Sequence, residues 1–180
     1  LAMTRLAIAG DPGFAISLAD APSGSGAPNY TLETLLRLRA ELPEGGNLFC
    51  LMGEDSFLSL RRWHRAAEVP FAAPLIVASR PSSNSRKRLG DVAGALPLGL
   101  MIEEALDFVL PASEVEVRVY RLRNAAGESA PFYLLPGLHV EISATAIREQ
   151  AREAPDVSMK QSDLLPGAVI DYIRANGLYQ

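Results

Sequence analysis

The stretch Asn47-Leu48-Phe49-Cys50-Leu51-Met52-Gly53-Glu54-Asp55 decides the fold. Residues 47 to 52 are an apolar run of strand length without polar alternation, which fits a strand buried on both faces. Gly53 stops it, and a helical pattern follows from Asp55 to Trp63. Upstream, Thr31 is placed to cap a helix carrying Leu32, Leu35, Leu36 and Leu38, which Pro43 and Gly45-Gly46 end. Downstream, Pro74 to Ser79 reads as a second fully buried strand. Strand and helix periods therefore alternate, which predicts an α/β three-layer fold with a mostly parallel sheet. In such sheets ligands bind beyond the carboxyl ends of the strands, the position of Gly53 to Asp55.

The remaining segments extend this pattern. Leu1 to Ile8 has the spacing of an amphipathic helix without a cap, and Phe14 to Leu18 that of a strand. Ala19 to Asn29 reads as a loop rich in Gly, Ser and Pro. Arg80 to Gly90 is a polar, basic loop. Val115, Val117 and Val119 alternate with Glu116, Arg118 and Tyr120 as in a half-buried strand, and Pro131 to Leu135 is another strand candidate. A helix is expected from the 142 to 148 turn to about Arg152. A last helix is expected between Leu165 and Gly177, with Pro166 in its first turn, Gly177 as its left-handed stop, and Val169, Ile170 and Ile173 as its buried stripe.

With 180 residues and 48% hydrophobic content, the chain is long enough for one sizeable core, so residues 1 to 180 are expected to form a single domain. A net charge of −4 provides no global footprint for nucleic acid, and any anion must be held by a local cluster. The lone Cys50 excludes an internal disulfide and fits a reducing compartment. No apolar stretch is long enough to span a bilayer, and the start lacks signal-peptide organisation, so a cytoplasmic protein is expected. His64 and His139 stand apart and no cysteine cluster exists, so no protein-held metal is expected. No Gly-x-Ser-x-Gly elbow is present for a serine hydrolase.

Four short stretches can carry chemistry. Ile142-Ser143-Ala144-Thr145-Ala146-Ile147-Arg148 puts two hydroxyls and a guanidinium at a helix start, where unpartnered N–H groups and the helix dipole favour phosphate. Gly53 and Asp55 offer an accessible backbone and a carboxylate suited to ribose hydroxyls. Trp63, the single tryptophan, offers a flat ring about two helical turns from Asp55. Tyr30-Thr31 begins a helix whose N–H groups can receive a carboxylate. Each also has a plain structural reading as a cap, a turn or a core aromatic.

Taken in order, Tyr30-Thr31-Leu32-Glu33-Thr34-Leu35, Gly53-Glu54-Asp55-Ser56-Phe57, Trp63, the 142 to 148 run, Asp163-Leu164-Leu165-Pro166, Tyr172-Ile173 and Gly177-Leu178-Tyr179 closely resemble bacterial nicotinate-nucleotide adenylyltransferases. The resemblance runs the length of the chain and is weakest between Arg80 and Leu138. It implies a Rossmann-like nucleotidyltransferase fold and transfer of the adenylyl group of ATP to nicotinate mononucleotide, giving deamido-NAD and pyrophosphate in NAD biosynthesis, with Mg2+ accompanying the ATP. It also implies that Gly53 and Asp55 contact the adenosine ribose side, that Ile142, Ser143, Thr145 and Arg148 bind ATP phosphates, and that Arg148 is the catalytic cation. Trp63 would stack on the pyridine ring, and Tyr30, Thr31 and the backbone near His64 would hold the nicotinate carboxylate. The implied partners are ATP and nicotinate mononucleotide, with neither nucleic acid nor membrane; a homo-oligomer stays open.

The chain departs from the resemblance in one large respect. The family's opening strand, its Gly-Gly-Thr-Phe-Asp-Pro loop and its His-x-Gly-His motif do not occur in residues 1 to 180. The expectation is an N-terminally truncated chain lacking the first strand-loop-helix and catalysing little or nothing alone. The alternatives are a nucleotide-binding or structural module without catalysis, and a phosphopantetheine-type adenylyltransferase, which shares the Ser-x-Thr-x-x-Arg turn but not Tyr30-Thr31 or Trp63.

Overall fold

A computed structural model of the chain describes residues 1–22, 24, 26–78, 89–105, 108–110, 115–135, 144–153 and 165–179. In chain order these contain α1 (Ala2–Ile8), α2 (Thr31–Ala40), β1 (Cys50–Gly53), α3 (Glu54–Ser59), α4 (Val69–Ala72), β2 (Leu75–Ala78), α5 (Leu89–Ala95), β3 (Met101–Glu104), β4 (Phe108–Leu110), β5 (Val115–Arg123), β6 (Ser129–Leu135), α6 (Ala144–Glu153) and α7 (Gly167–Ala175). Short 3-10 turns lie at Leu60–Arg62 and Ala66–Glu68. The chain divides into two compact units, one of Leu1–Leu18 with Val140–Gln180 and one of Ala19–His139.

The larger unit is built on an open mixed sheet in the order β1-β2-β6-β5-β3, with β4 also paired to β5. β1, β2 and β6 are mutually parallel, whereas β5 runs antiparallel to β6, β3 and β4. Every strand except β5 therefore points the same way, and the sheet is mostly parallel, as in a Rossmann-like nucleotidyltransferase fold. In β1 and β2 the register pairs Cys50 with Leu75 and Gly53 with Ala78, so both strands end level at their carboxyl ends.

Apolar burial explains why these short strands persist. Phe132, Leu75, Leu122 and Leu60 are fully buried, and with Met52, Phe57, Val77 and Leu134 they form one core with Leu32 and Leu35 of α2. Each such side chain contributes roughly 1.5–3 kcal/mol on burial. Phe132 is the centre, with Phe57 and Tyr120 ring centroids at 5.3 and 5.7 Å.

Several boundaries differ from the sequence reading. The strand expected at Phe14 to Leu18 does not form: an Asx turn from Asp11 to the Gly13 N–H precedes it, and the segment is irregular, with Phe14 and Leu18 exposed. The strand expected at 47 to 52 starts only at Cys50, whose N–H meets the Pro74 carbonyl at 2.9 Å, and it is not buried on both faces: it lies at the sheet edge, with Met52 buried and Leu51 exposed. Thr31 is the first residue of α2, and Tyr30, with extended dihedrals, is its N-cap. Along β5 the buried face passes from Val117 to Tyr120 and Leu122, a change of phase that the alternating valines do not foretell. Most of the 80 to 90 loop lies outside the described residues, while Leu89 and Gly90 begin α5.

In the smaller unit α7 buries Val169, Ile170 and Ile173 against Met3 and Leu6 of α1 and against Leu165, Leu178 and Tyr179. The helix ends in a Schellman arrangement: the Leu178 N–H reaches the Ile173 carbonyl and the Gly177 N–H the Arg174 carbonyl. Gly177 sits at φ +56°, the left-handed conformation expected of it.

Candidate functional site

At the carboxyl end of β1 the chain turns directly into α3, with Gly53 as both last strand residue and N-cap. Gly53 has φ −74° and ψ 159°, which any residue adopts, and a Cβ added there would meet nothing within 4 Å. Neither backbone geometry nor packing requires a glycine. Open space above this strand end is what remains. Asp55 is exposed in the first turn of α3.

Two distant segments meet beside the start of α2. The Tyr30 ring stacks on His64, with centroids 4.1 Å apart and planes 26° from parallel. Glu33, in the first turn of α2, has its Oε1 3.8 Å from His64 Nε2 and 3.5 Å from Arg65 Nη1. Arg65 also grips Glu68 in a two-pronged contact, Nε to Oε1 at 2.8 Å and Nη2 to Oε2 at 2.7 Å. That hydrogen bond raises the Arg65 pKa and holds the Glu68 carboxyl below the usual range. Arg65 has φ +49° and ψ 40°, a left-handed conformation uncommon for a residue with a side chain.

Trp63 ends the 3-10 turn with extended dihedrals, and its indole N–H donates to Ser59 Oγ at 3.1 Å. The expected helix from Asp55 to Trp63 is thus interrupted: α3 stops at Ser59, and a tighter 3-10 turn over Leu60–Arg62 carries the chain to Trp63. Trp63 is half-buried against the core, while Tyr30 keeps 39% of its surface exposed. Behind them, Thr34 Oγ1 donates to Asp20 Oδ1 at 3.1 Å and Arg37 donates to the Ala19 carbonyl, tying the preceding loop to α2.

In the smaller unit, Thr145 and Arg148 lie exposed on α6, which begins at Ala144. The Arg148 guanidinium carbon stands 5.7 Å from the centre of the Tyr179 ring, and Arg152 Nε donates to the Tyr179 carbonyl at 3.2 Å. Ile142, Ser143 and His139 lie outside the described residues.

The structure thus brings Tyr30 against His64, each the chain neighbour of Thr31 or Trp63, within the larger unit, and it places Gly53 and Asp55 at the β1 end of the same unit. Glu33, Arg65 and Glu68 were missed by the sequence reading. The contacts of Glu33 join a helix position to a turn some thirty residues away, which no local spacing announces, whereas Arg65 and Glu68 form an i,i+3 pair that the sequence could have offered. A cavity of about 390 Å³, lined by residues including Arg39, Asn47, Pro74 and Ser129, opens at the amino ends of β1, β2 and β6. It lies at the strand ends opposite to Gly53, away from the usual ligand position of an open parallel sheet. Among the described residues, no three or more His, Cys, Asp or Glu side chains gather as a metal cluster. No helix among them is long and apolar enough to cross a membrane.

No family model matches the chain. Individual relatives do. A protein of Aeromonas salmonicida described as "Probable nicotinate-nucleotide adenylyltransferase" is 34% identical over 186 residues, covering 100% of this chain and 72% of the relative. Proteins of the same description from Serratia proteamaculans and Geobacter metallireducens are each 32% identical, covering 100% and 98% of this chain and 71% and 72% of their own lengths. Identity at this level along the whole chain, over a Rossmann-like sheet, shows that it belongs to the nicotinate-nucleotide adenylyltransferase family.

Proposed function

We propose that the chain belongs to a single adenylyltransferase domain, in which the phosphate of nicotinate mononucleotide attacks the α-phosphorus of ATP, forming deamido-NAD and releasing pyrophosphate in line. No covalent enzyme intermediate is needed. The protein's work is to position two anions against their mutual repulsion and to neutralise charge on the transferring group. The reading is carried by the stack of Tyr30 on His64, which brings the start of α2 beside the Trp63 turn. A ligand there would meet N–H groups able to take a carboxylate and an indole able to take a flat ring.

In this reading Thr31, Tyr30 and the His64 backbone hold the nicotinate carboxylate and Trp63 stacks on the pyridine. Gly53 leaves room for the adenosine ribose, and Asp55 binds its hydroxyls. Ile142, Ser143, Thr145 and Arg148 bind ATP phosphates, with Arg148 the catalytic cation. Mg2+ is proposed to arrive with the ATP, on its phosphates. A cytoplasmic, reducing location fits the free thiol of Cys50. Because residues 1 to 180 contain no His-x-Gly-His motif, the chain by itself is proposed to turn over little.

The test uses the product of the complete reading frame, following deamido-NAD formation beside unfolding midpoints. Arg148→Ala should lower turnover about 100-fold or more, the scale of removing one charge-stabilising donor, while the midpoint barely moves. Equal losses of activity and stability would make Arg148 a structural residue.

A further inference from the structure

The start of α2 carries a charge that works against the ligand proposed for it. Glu33 lies in the first turn of α2, at the positive end of the helix dipole, and a bound nicotinate carboxylate would share that region. Two carboxylates there repel each other, and the repulsion would favour a neutral carboxamide over the acid.

Arg65 answers this charge. Its Nη1 stands 3.5 Å from Glu33 Oε1, while Nε and Nη2 are committed to Glu68. His64 Nε2 approaches the same Glu33 oxygen at 3.8 Å, and Tyr30, stacked on His64, closes the cluster around the helix start. Arg65 holds this position from a left-handed backbone that a glycine would adopt without penalty. The guanidinium, not the backbone, is therefore the group that this position offers to its neighbours.

We infer that Arg65 is a specificity-determining residue, whose guanidinium, shared with Glu68, weakens the field of Glu33 so that the site accepts a pyridine carboxylate in preference to a carboxamide. The inference rests on the pyridine-nucleotide reading of the preceding section. Nicotinate and nicotinamide mononucleotides carry the same phosphate and ribose, so the ratio of their affinities isolates the field at the acid group.

The test uses the 180-residue chain and the fluorescence of Trp63, its single tryptophan. Each mononucleotide is titrated against the wild-type chain and its variants. The wild-type chain should bind the nicotinate form more tightly. Arg65→Ala and Arg65→Gly should each reduce that preference by about twofold to fivefold, the scale of one exposed ion pair, and Arg65→Lys should keep most of it. Adding Glu33→Gln to Arg65→Ala should restore it, and raised salt should shrink it in the wild-type chain.

An acid preference that survives in Arg65→Gly, or that Glu33→Gln fails to restore, would overturn the role of Arg65 and leave the pyridine-nucleotide reading intact. A wild-type chain that binds both equally would overturn the role of Arg65 alone, and one that binds neither mononucleotide would overturn the two together.

Discussion

Tyr30 and His64 lie ring on ring at 4.1 Å, and this contact joins the N-cap of α2 to the turn that follows Trp63. Both rings remain partly open to solvent, with 39% of Tyr30 exposed. The pair therefore orders a surface more than it builds a core.

Tyr30→Ala should accordingly cost about 0.5–1.5 kcal/mol of stability, the usual range for an aromatic pair. It should weaken nicotinate mononucleotide binding by more than that loss explains, because the 63 to 65 turn loses a support. Denaturant midpoints set beside a fluorescence titration separate the two effects. A stability loss with unchanged affinity would show that the stack does not shape the binding surface.

Gly53→Ala distinguishes a ligand-facing glycine from a structural one. The backbone is extended and an added Cβ has open space, so stability should change by less than about 0.5 kcal/mol. Nucleotide affinity should fall if the adenosine moiety approaches this backbone. Thermal unfolding and ATP binding, measured on the complete protein, read the two quantities separately.

Gly177→Ala should do the reverse. At φ +56° a side chain pays about 1–2 kcal/mol, and the Schellman end of α7 depends on that conformation. Unfolding of the smaller unit should occur at lower denaturant. Circular dichroism checks this, and an unchanged midpoint would mean that the helix end relaxes without cost.

The Arg65–Glu68 pair gives a pH signature. The hydrogen bond to Arg65 lowers the Glu68 pKa on folding, so its contribution is present above the ordinary carboxylate value and is lost as pH falls through the depressed folded value. Wild type should therefore unfold later than Glu68→Gln near neutral pH, and the two midpoints should converge in acid. A gap that persists in acid would point to packing instead of charge.

How much of this was legible in the sequence depended on the range of the interaction. Buried runs such as Leu75 to Ala78 and the stripe Val169, Ile170 and Ile173 announce themselves, because burial imposes a local composition and period. Phe14 to Leu18 looked like a strand by the same rule and failed, since a strand also needs a ladder partner that local composition does not reveal. Trp63 was visible as a lone aromatic, but the 3-10 turn before it was not, because Leu60, Arg61 and Arg62 suit an α-helix equally well. The Glu33, Arg65 and Glu68 network was invisible for a stronger reason. Arg65 and Glu68 are close in sequence, but their link to Glu33 exists only after α2 and the 63 to 65 turn have been packed side by side.

An adenylylation assay on the product of the complete reading frame identifies the acceptor. ATP is supplied with nicotinate mononucleotide, nicotinamide mononucleotide or phosphopantetheine, and dinucleotide and pyrophosphate are quantified together. Deamido-NAD and pyrophosphate should form in equal amounts, with nicotinate mononucleotide as the preferred acceptor. Turnover of phosphopantetheine alone, or of neither pyridine nucleotide, would contradict the proposed function.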